Sequence, residues 1–313
     1  MNLLNEQKRF DSSLYGVCPS IAKTLLRVNN SVKQDVQEIR LRANKPLALT
    51  VKNNCLYVKE NGECESNIKN AVTVTLNDVQ ESFKMLIRGS VYSHLNEIKE
   101  GYIMMRYGHR AGICGSFTKT GNISNISSIN IRISREIKGV ADKLINSYDG
   151  GGVLIVGPPA SGKTTVLRDF IRGVASAENA NSRRVCLVDT RGEISASFLG
   201  ESFNDLGENC DVLVGFEKSK GFLMAIRTMF PNIVAFDEIG TDEELSGVMQ
   251  GFMSGVDVVV TAHIGSEEDL LRRDITRKLI ESGAIQTVVL LKGYPFGDMD
   301  IKNAKEVLKQ CGQ

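Results

Sequence analysis

The sequence predicts an α/β fold with a parallel-rich central sheet, preceded by a smaller α+β domain. From residue 153 onward, short apolar segments alternate with segments of helical periodicity, which is the pattern of parallel strands joined by crossover helices. Before residue 136, several short strands of alternating polar and apolar residues follow one another with few helices between them. We therefore predict two domains, 1–135 and 136–313.

Composition and charge exclude several classes of protein. The chain has 313 residues, enough for two domains with a sizeable core. Its 38 Lys and Arg residues nearly balance 37 Asp and Glu residues, which argues against a protein held on nucleic acid mainly by bulk charge but leaves a local basic patch open. No secretory signal and no membrane-spanning apolar run is visible, so we expect a cytoplasmic protein whose membrane contacts are peripheral. Scattered cysteines without a C-x-x-C pair predict reduced thiols rather than disulfides or a zinc site.

Local patterns predict the elements of the first domain. A helix is expected over residues 10–30, and a second helix over residues 76–88 with Asn77 or Asp78 as its cap. Alternation and turn residues predict strands at 35–42, 47–51, 56–58, 101–105, 110–115 and 129–133. In the second domain we expect an amphipathic helix over 136–148, a glycine hinge at 149–152, and strands at 153–156, 185–189, 233–237 and 258–262. The tail after Gly293 carries little periodic signal.

A glycine-rich turn between the first of these strands and a helix matches the pattern G-x-x-x-x-G-K-[ST]. Its backbone N–H groups and the helix N-terminus are suited to bind phosphate oxygens. Lys163 would reach the β- and γ-phosphates of a nucleotide, and the Thr164 hydroxyl would bind Mg²⁺. A purely structural turn is the alternative. The predicted phosphate-binding residues are Gly157, Pro158, Pro159, Ala160, Ser161, Gly162, Lys163, Thr164 and Thr165.

Acidic residues follow two of the later strands. Asp237 and Glu238 end an apolar strand about 70 residues after the glycine-rich turn, as a Walker B acid pair does, so Asp237 is predicted to hold Mg²⁺ and Glu238 to activate water. Asp189 and Glu193 end the preceding strand, where Glu193 is a candidate second acid. The alternatives are solvated acids at Asp237 and Glu238, and a turn that caps a helix beginning at Ile194.

Basic and imidazole groups complete the set of candidates. His263 ends the last strong strand, where it could sense the γ-phosphate or be a satisfied strand-end histidine. Arg132 and Arg135 lie just before the domain boundary and are candidates for arginine fingers, with a solvated strand face as the alternative. His94 and His109 are expected to be structural.

These motifs resemble those of a known family. Gly157–Thr164, Asp189–Glu193, Asp237–Gly240 and Thr261–His263 are similar to the motifs of the secretion-ATPase branch of RecA-like P-loop ATPases, which drive type II and type IV secretion and pilus assembly. Asp237-Glu238 stands where that branch has Gly-Glu. One extra residue separates Thr190 from Glu193, which leaves open whether Glu238 or Glu193 is the catalytic base.

Three segments before residue 138 resemble one particular family more closely. Glu38–Pro46, Gly108–Gly115 and Asn130–Ile137 resemble the stage III sporulation protein AA family of endospore-forming bacteria. The resemblance implies an ATPase in the mother-cell cytoplasm that uses ATP and Mg²⁺ and assembles as a homo-hexamer. It also implies a membrane-embedded partner, similar to the type II secretion platform protein, in a channel between mother cell and forespore.

Two other functions fit the same RecA-like core. One is a nucleic-acid translocase or binding protein. The absence of Trp, the low aromatic content and the balanced charge weaken this alternative, because proteins that track a strand combine a basic groove with stacking rings. The other is a slow nucleotide switch whose output is binding alone.

Overall fold

The computed structural model describes residues 3–89, 94–117, 123–198, 200–293 and 298–311. The chain separates into two compact units. The first contains the chain up to Arg135 together with Ala196–Phe203, and the second contains Glu136–Ser195 and the chain from Asn204 onward. The sequence prediction assigned Ala196–Phe203 to the second domain, whereas in the structure this segment clusters with the first unit.

The first unit is a sheet covered by short helices. Its described helices are α1 (Leu3–Ser13), α2 (Pro19–Leu26), α3 (Asn30–Lys33), α4 (Leu76–Leu86) and α5 (Leu95–Lys99). Its described strands are β1 (Val36–Arg42), β2 (Lys45–Pro46), β3 (Ala48–Val51), β4 (Asn54–Val58), β5 (Cys64–Glu65), β6 (Thr73–Val74), β7 (Tyr102–Met104), β8 (Arg110–Phe117) and β9 (Ile123–Arg132). The main sheet has the order β5-β4-β3-β1-β9-β8-β7 with antiparallel pairing throughout.

Alternation along the two central strands of this sheet builds the core of the first unit. Ile39 of β1 lies opposite Ile131 of β9, and Leu41 lies opposite Ile129. All four side chains are buried. Because side chains of a strand alternate between its two faces, these residues form one apolar face, which α4 helps to cover.

Two helix predictions for the first unit were wrong in detail. The helix expected over residues 10–30 is broken, because Pro19 opens α2 and holds the preceding Cys18 in an extended conformation. The second helix is capped by Thr75 rather than Asn77 or Asp78. The Thr75 hydroxyl accepts the Asp78 N–H at 3.1 Å, and the Asp78 carboxylate accepts the Thr75 N–H at 2.8 Å, which is a capping box.

The second unit is a three-layer α/β structure. Its described helices are α6 (Asp142–Ser147), α7 (Lys163–Val174), α8 (Lys218–Thr228), α9 (Asp242–Met253), α10 (Asp269–Arg272), α11 (Asp274–Glu281) and α12 (Ala304–Cys311). Its described strands are β10 (Val153–Gly157), β11 (Val185–Asp189), β12 (Cys210–Val214), β13 (Ile233–Phe236), β14 (Asp257–His263), β15 (Thr287–Leu291) and β16 (Met299–Asn303). Two apolar clusters, one on each face of the sheet, form its core.

The sheet of the second unit confirms the predicted fold class. Its strand order is β12-β11-β13-β14-β10-β15-β16, and every neighbouring pair is parallel except β15 with β16. Strands β10, β11 and β13 are buried along their whole length, which explains their unbroken apolar sequences. Their carboxyl ends meet at one edge of the sheet, which is where sites form in such folds.

Several predictions for the second unit were also wrong. The helix expected over 136–148 is limited to α6, because Gly139 adopts a left-handed φ of 84° and Glu136 and Lys138 instead contact Asp205. No helix begins at Ile194 among the described residues, where the chain forms turns. The tail beyond Gly293 contains β16 and α12 despite its weak periodicity.

Two further observations concern the described residues as a whole. None of their helices combines the length and the apolar character needed to cross a bilayer. Six cysteines are free thiols in the structure: Cys18, Cys55, Cys64, Cys114, Cys186 and Cys210.

Candidate nucleotide site

The glycine-rich turn joins the buried strand β10 to α7. A side chain at Gly157 would lie 2.6 Å from the Ser161 hydroxyl, so only glycine allows the loop to fold back this closely. Ala160 and Gly162 have left-handed φ values of 59° and 89°. Ala160 pays a strain cost for this conformation, as residues in functional loops often do. No side chain caps α7, so its first backbone N–H groups are not bound by a capping side chain and suit an anion.

The Lys163 side chain folds back onto this loop and is hydrogen-bonded to its backbone. Its side chain is buried, and Nζ donates to the carbonyl oxygens of Gly157 at 3.0 Å and Pro158 at 2.8 Å. Burial lowers the pKa of Lys163, while the nearby Asp237 and Glu238 carboxylates act in the opposite direction. A phosphate oxygen forms a stronger, charge-assisted bond with an ammonium than a neutral carbonyl does. Lys163 therefore has partners that a nucleotide can replace.

Three side chains link α7, β13 and β14 at the edge of the sheet. The Thr164 hydroxyl donates to one Asp237 oxygen at 2.6 Å, and the Thr261 hydroxyl donates to the other. Thr261 also accepts the backbone N–H of Glu238 at 2.8 Å. Sequence reasoning assigned no role to Thr261, although it lies in a quoted motif. Its position as the last buried polar residue of a strand beside the acid pair was the available signal.

The oxygens of Thr164 and Asp237 suit a magnesium ion. Mg²⁺ takes oxygen ligands and is held by one or two protein groups together with phosphates and water. Among the described residues no three His, Cys, Asp or Glu side chains are arranged to hold a metal by themselves. The Thr164 hydroxyl and the Asp237 carboxylate, beside the glycine-rich turn, are therefore the groups present that fit this ion.

Glu238 occupies a constrained backbone position. Its φ is 57°, in the left-handed region that non-glycine residues rarely adopt. Thr261 binds its N–H, and the Lys218 ammonium donates to its carbonyl. The carboxylate Oε1 lies 3.5 Å from His263 Nε2, and 58% of the Glu238 side chain is exposed. The backbone of Glu238 is thus anchored while its carboxylate remains accessible to water.

Asp189 anchors the turn that follows β11. Its carboxylate is buried and accepts the Glu193 N–H at 3.1 Å, the Ser195 N–H at 2.8 Å and the Ser195 hydroxyl at 2.7 Å. Burial raises the pKa of Asp189, and these hydrogen bonds oppose the rise. The Asp189 carboxylate therefore fixes the loop, and Glu193 lines the cavity described next.

One cavity of about 400 Å³ brings most of the predicted residues together, and it adjoins a second cavity of about 200 Å³ at the end of β11. The larger cavity is lined by Ala160, Ser161, Gly162, Lys163, Thr164, Thr165, Arg191, Glu193, Asp237, Glu238 and His263. Arg191 is the member that sequence reasoning missed. The signal available for it was a single cation within an otherwise acidic motif.

The remaining candidates belong to the first unit. Arg132 is 68% exposed, and its Nε lies 3.7 Å from Glu38. Arg135 donates to the carbonyls of Gln34 at 2.9 Å and Val36 at 3.0 Å. His109 is buried and bonded to the Ser12 hydroxyl and the Ser134 N–H. His94 lies 2.7 Å from Glu97.

Comparisons with known proteins agree with this architecture. The chain is 33% identical over 260 residues to stage III sporulation protein AA of Bacillus subtilis (strain 168), in an alignment that covers 80% of each protein. It is 28% identical over 193 residues to the SEEDLING PLASTID DEVELOPMENT 1 protein of Arabidopsis thaliana, which covers 58% of this chain and 27% of that protein.

Solved structures show the same fold. The pilus retraction motor PilT with bound ADP matches with a TM-score of 0.61 and 14% identity, over 93% of this chain and 85% of that chain. The ATPase DotB of Legionella pneumophila matches with a TM-score of 0.54 and 14% identity, over 82% and 72%. The chain thus shares the fold of these secretion ATPases. The family model for sporulation stage III, protein AA, matches residues 9–300, and the chain belongs to that family.

Proposed function

We propose that this protein is an ATP-hydrolysing motor of a sporulation-associated, secretion-like channel. The observation that carries the proposal is the convergence of Lys163, Thr164, Asp237 and Glu238 on one cavity at the carboxyl edge of a parallel sheet. Positioned cations, a metal-binding pair and an acid beside the phosphates are the parts that phosphoryl transfer needs.

Each residue has a separate task in the proposed reaction. The loop N–H groups and Lys163 bind the β- and γ-phosphates. Thr164 and Asp237 hold Mg²⁺, which when bound neutralises charge on those phosphates. Glu238 accepts the proton of the attacking water, and His263, 3.5 Å away, orients that carboxylate. Asp189 keeps the neighbouring loop in place through its three accepted hydrogen bonds.

The cellular part of the proposal rests on family membership. We propose that the protein acts in the mother-cell cytoplasm as a homo-hexamer, peripheral to the membrane, and drives a membrane-embedded platform protein in a channel to the forespore. The near balance of acidic and basic residues and the absence of Trp are consistent with a protein partner rather than nucleic acid.

A phosphate-release assay on the purified protein tests the proposal. Wild type should hydrolyse ATP, and Lys163→Ala should lose at least about 100-fold in turnover because it lacks the cation on the γ-phosphate. Turnover should rise with membranes that carry the platform partner and remain unchanged with single-stranded DNA. Unchanged hydrolysis in Lys163→Ala, or stimulation by DNA alone, would contradict the proposal.

The same assay assigns the catalytic base. Glu238→Gln should keep ATP affinity while slowing hydrolysis, because an amide cannot accept the proton. Glu193→Gln is the matched control, since Glu193 lines the same cavity. A larger loss in Glu193→Gln would assign the base to Glu193 instead.

A further inference from the structure

Arg191 is the basic residue of the turn after β11. The backbone of this turn is fixed, because Asp189 binds Glu193 and Ser195, and the Gly192 N–H donates to the Asp189 carbonyl at 3.2 Å. The Arg191 side chain, in contrast, is exposed and has no hydrogen bond or ion pair with any residue that the structure describes. It lines both cavities of the candidate site. A rigid backbone thus presents an unengaged guanidinium to the site.

The larger cavity is lined by both basic and acidic side chains, yet Arg191 forms no ion pair with any described carboxylate. The positively charged side chains that line it are Lys163 and Arg191. Its carboxylates are Glu193, Asp237 and Glu238. An arginine that only neutralised these acids would be expected to form an ion pair with one of them. Arg191 lines the cavity beside them without such a pair. A guanidinium held in this way is suited to a ligand that carries its own planar set of oxygens, such as a phosphoryl group.

The position of β11 in the sheet indicates which phosphate of a bound nucleotide the Arg191 side chain can reach. Strands β13 and β14 lie between β11 and β10, so the ends of β11 and β10 are about 14 Å apart. The loop after β10 binds the phosphate chain, and Glu238 at the end of β13 is the proposed water-activating group. A side chain from the end of β11 approaches from the side of Glu238, where the terminal phosphate and the attacking water are expected.

We propose that Arg191 is a catalytic residue that binds the γ-phosphate of the ATP held by the loop of its own chain. The inference rests on the proposed function and adds a group to its site. Water attacks the γ-phosphorus and gives its proton to Glu238, the bond to the bridging oxygen breaks, and ADP leaves with the electron pair. Arg191 remains charged and donates hydrogen bonds to the γ-phosphoryl oxygens. ADP lacks these oxygens, so Arg191 also discriminates ATP from ADP.

Nucleotide affinities and steady-state kinetics of the full-length protein test this assignment. The variants are Arg191→Ala and Arg191→Lys, with Arg227→Ala as the matched control because Arg227 is an exposed arginine of α8 that lines neither cavity. Affinities for ADP and for a non-hydrolysable ATP analogue are measured by calorimetry. Arg191→Ala should lower kcat about 10³-fold. It should weaken the ATP analogue about tenfold or more and leave ADP affinity within about twofold. Arg191→Lys keeps the charge but not the fork of donors, so it should fall between wild type and Arg191→Ala.

Several outcomes would overturn the assignment. Wild-type kinetics in Arg191→Ala would do so while leaving the proposed function intact, provided that Lys163→Ala is inactive. Equal loss of affinity for ADP and the ATP analogue would show that Arg191 does not read the γ-phosphate. Recovery of activity on mixing Lys163→Ala with Arg191→Ala chains would show that Arg191 serves a neighbouring chain rather than its own.

Discussion

At the scale of single residues, Thr261 connects both acids of the site. Its hydroxyl donates to Asp237 and accepts the N–H of Glu238, so one buried side chain positions the proposed metal ligand and the backbone of the proposed base. The left-handed backbone of Glu238 makes this second bond important, since such a conformation persists only when its surroundings hold it.

Thr261→Val should separate this positioning role from packing. Valine has nearly the same shape but leaves an Asp237 oxygen and the Glu238 N–H without their partner, which should cost about 1–3 kcal/mol of unfolding free energy. We also expect turnover to fall and the Mg²⁺ concentration for half-maximal activity to rise. Thr261→Ser keeps the hydroxyl and should retain both kinetic properties, as measured by urea unfolding and phosphate release. Equal kinetic losses in the two variants would argue against the positioning role.

At the scale of elements, α8 and α9 approach closely in the second unit because glycine faces Phe222. A Cβ at Gly251 would lie 2.7 Å from the Phe222 ring, whereas one at Gly247 would lie 3.6 Å away. Phe222 is buried in the core and has little room to move. The same helix therefore contains one glycine required by packing and one that is not.

Two alanine substitutions in α9 should have opposite effects. Gly251→Ala should lower the free energy of unfolding by about 1–3 kcal/mol through overpacking against Phe222. Gly247→Ala should raise it by up to about 1 kcal/mol, because alanine has the higher helix propensity and its methyl group makes an ordinary contact. Urea denaturation of both variants measures the difference. If both substitutions changed the free energy of unfolding in the same direction, the Phe222 ring would be able to move away from an added methyl group.

His109 forms hydrogen bonds between elements of the first unit, and its burial predicts that the free energy of unfolding depends on pH. It bonds to Ser12 of α1 and to Ser134 after β9, and burial lowers its pKa from 6.5 to about 4. The folded state therefore favours neutral imidazole. The stability that results is present above pH 6.5 and is lost as the pH falls toward 4, by about 3 kcal/mol in total.

His109→Asn should remove most of this dependence, since its amide oxygen can still accept the Ser134 N–H. Between pH 7 and pH 5 the wild type should lose about 2 kcal/mol more than the variant. Urea unfolding at the two pH values measures this difference. Parallel losses in both proteins would mean that His109 does not control the acid response.

At the scale of the whole molecule, the two candidate arginine fingers differ in their surroundings. Arg135 is bound to two backbone carbonyls of the first unit, whereas Arg132 is largely exposed and, among the residues that the structure describes, has only a long ion pair with Glu38. An exposed pair of this kind contributes little to stability. Arg132 is therefore the better candidate to contact a nucleotide in the proposed homo-hexamer.

Mixing experiments test this difference. Arg132→Ala should lower hydrolysis about 10³-fold with little change in nucleotide affinity, as removal of an arginine finger does. Arg135→Ala should mainly lower the free energy of unfolding, by about 1 kcal/mol or more. If Arg132 acts on a neighbouring chain, inactive Lys163→Ala and Arg132→Ala chains should regain activity when mixed, because head-to-tail interfaces then contain both groups. Full activity of Arg132→Ala would return Arg132 to a solvated strand face.

The sequence alone determined the features that depend on contiguous residues. The glycine-rich turn lies within a continuous strand, turn and helix, so its match to a phosphate-binding pattern could be recognised from contiguous residues. The acid pair and His263 could be placed at one edge because all parallel strands end there. The break before Pro19 was missed, because the apolar spacing favoured one helix over residues 10–30 although the ring of proline restricts the residue before it.

Only the tertiary structure decided which polar groups are already hydrogen-bonded within the protein. Asp189 and Glu193 look alike in sequence, yet Asp189 is buried under three hydrogen bonds and Glu193 lines the cavity. Likewise the proposed roles of Thr261 and Arg191 depend on strands that are distant in sequence and adjacent in the sheet. Local patterns specify which groups a chain carries, but hydrogen-bond partners and burial depend on long-range packing, and these determine which groups remain available to a ligand.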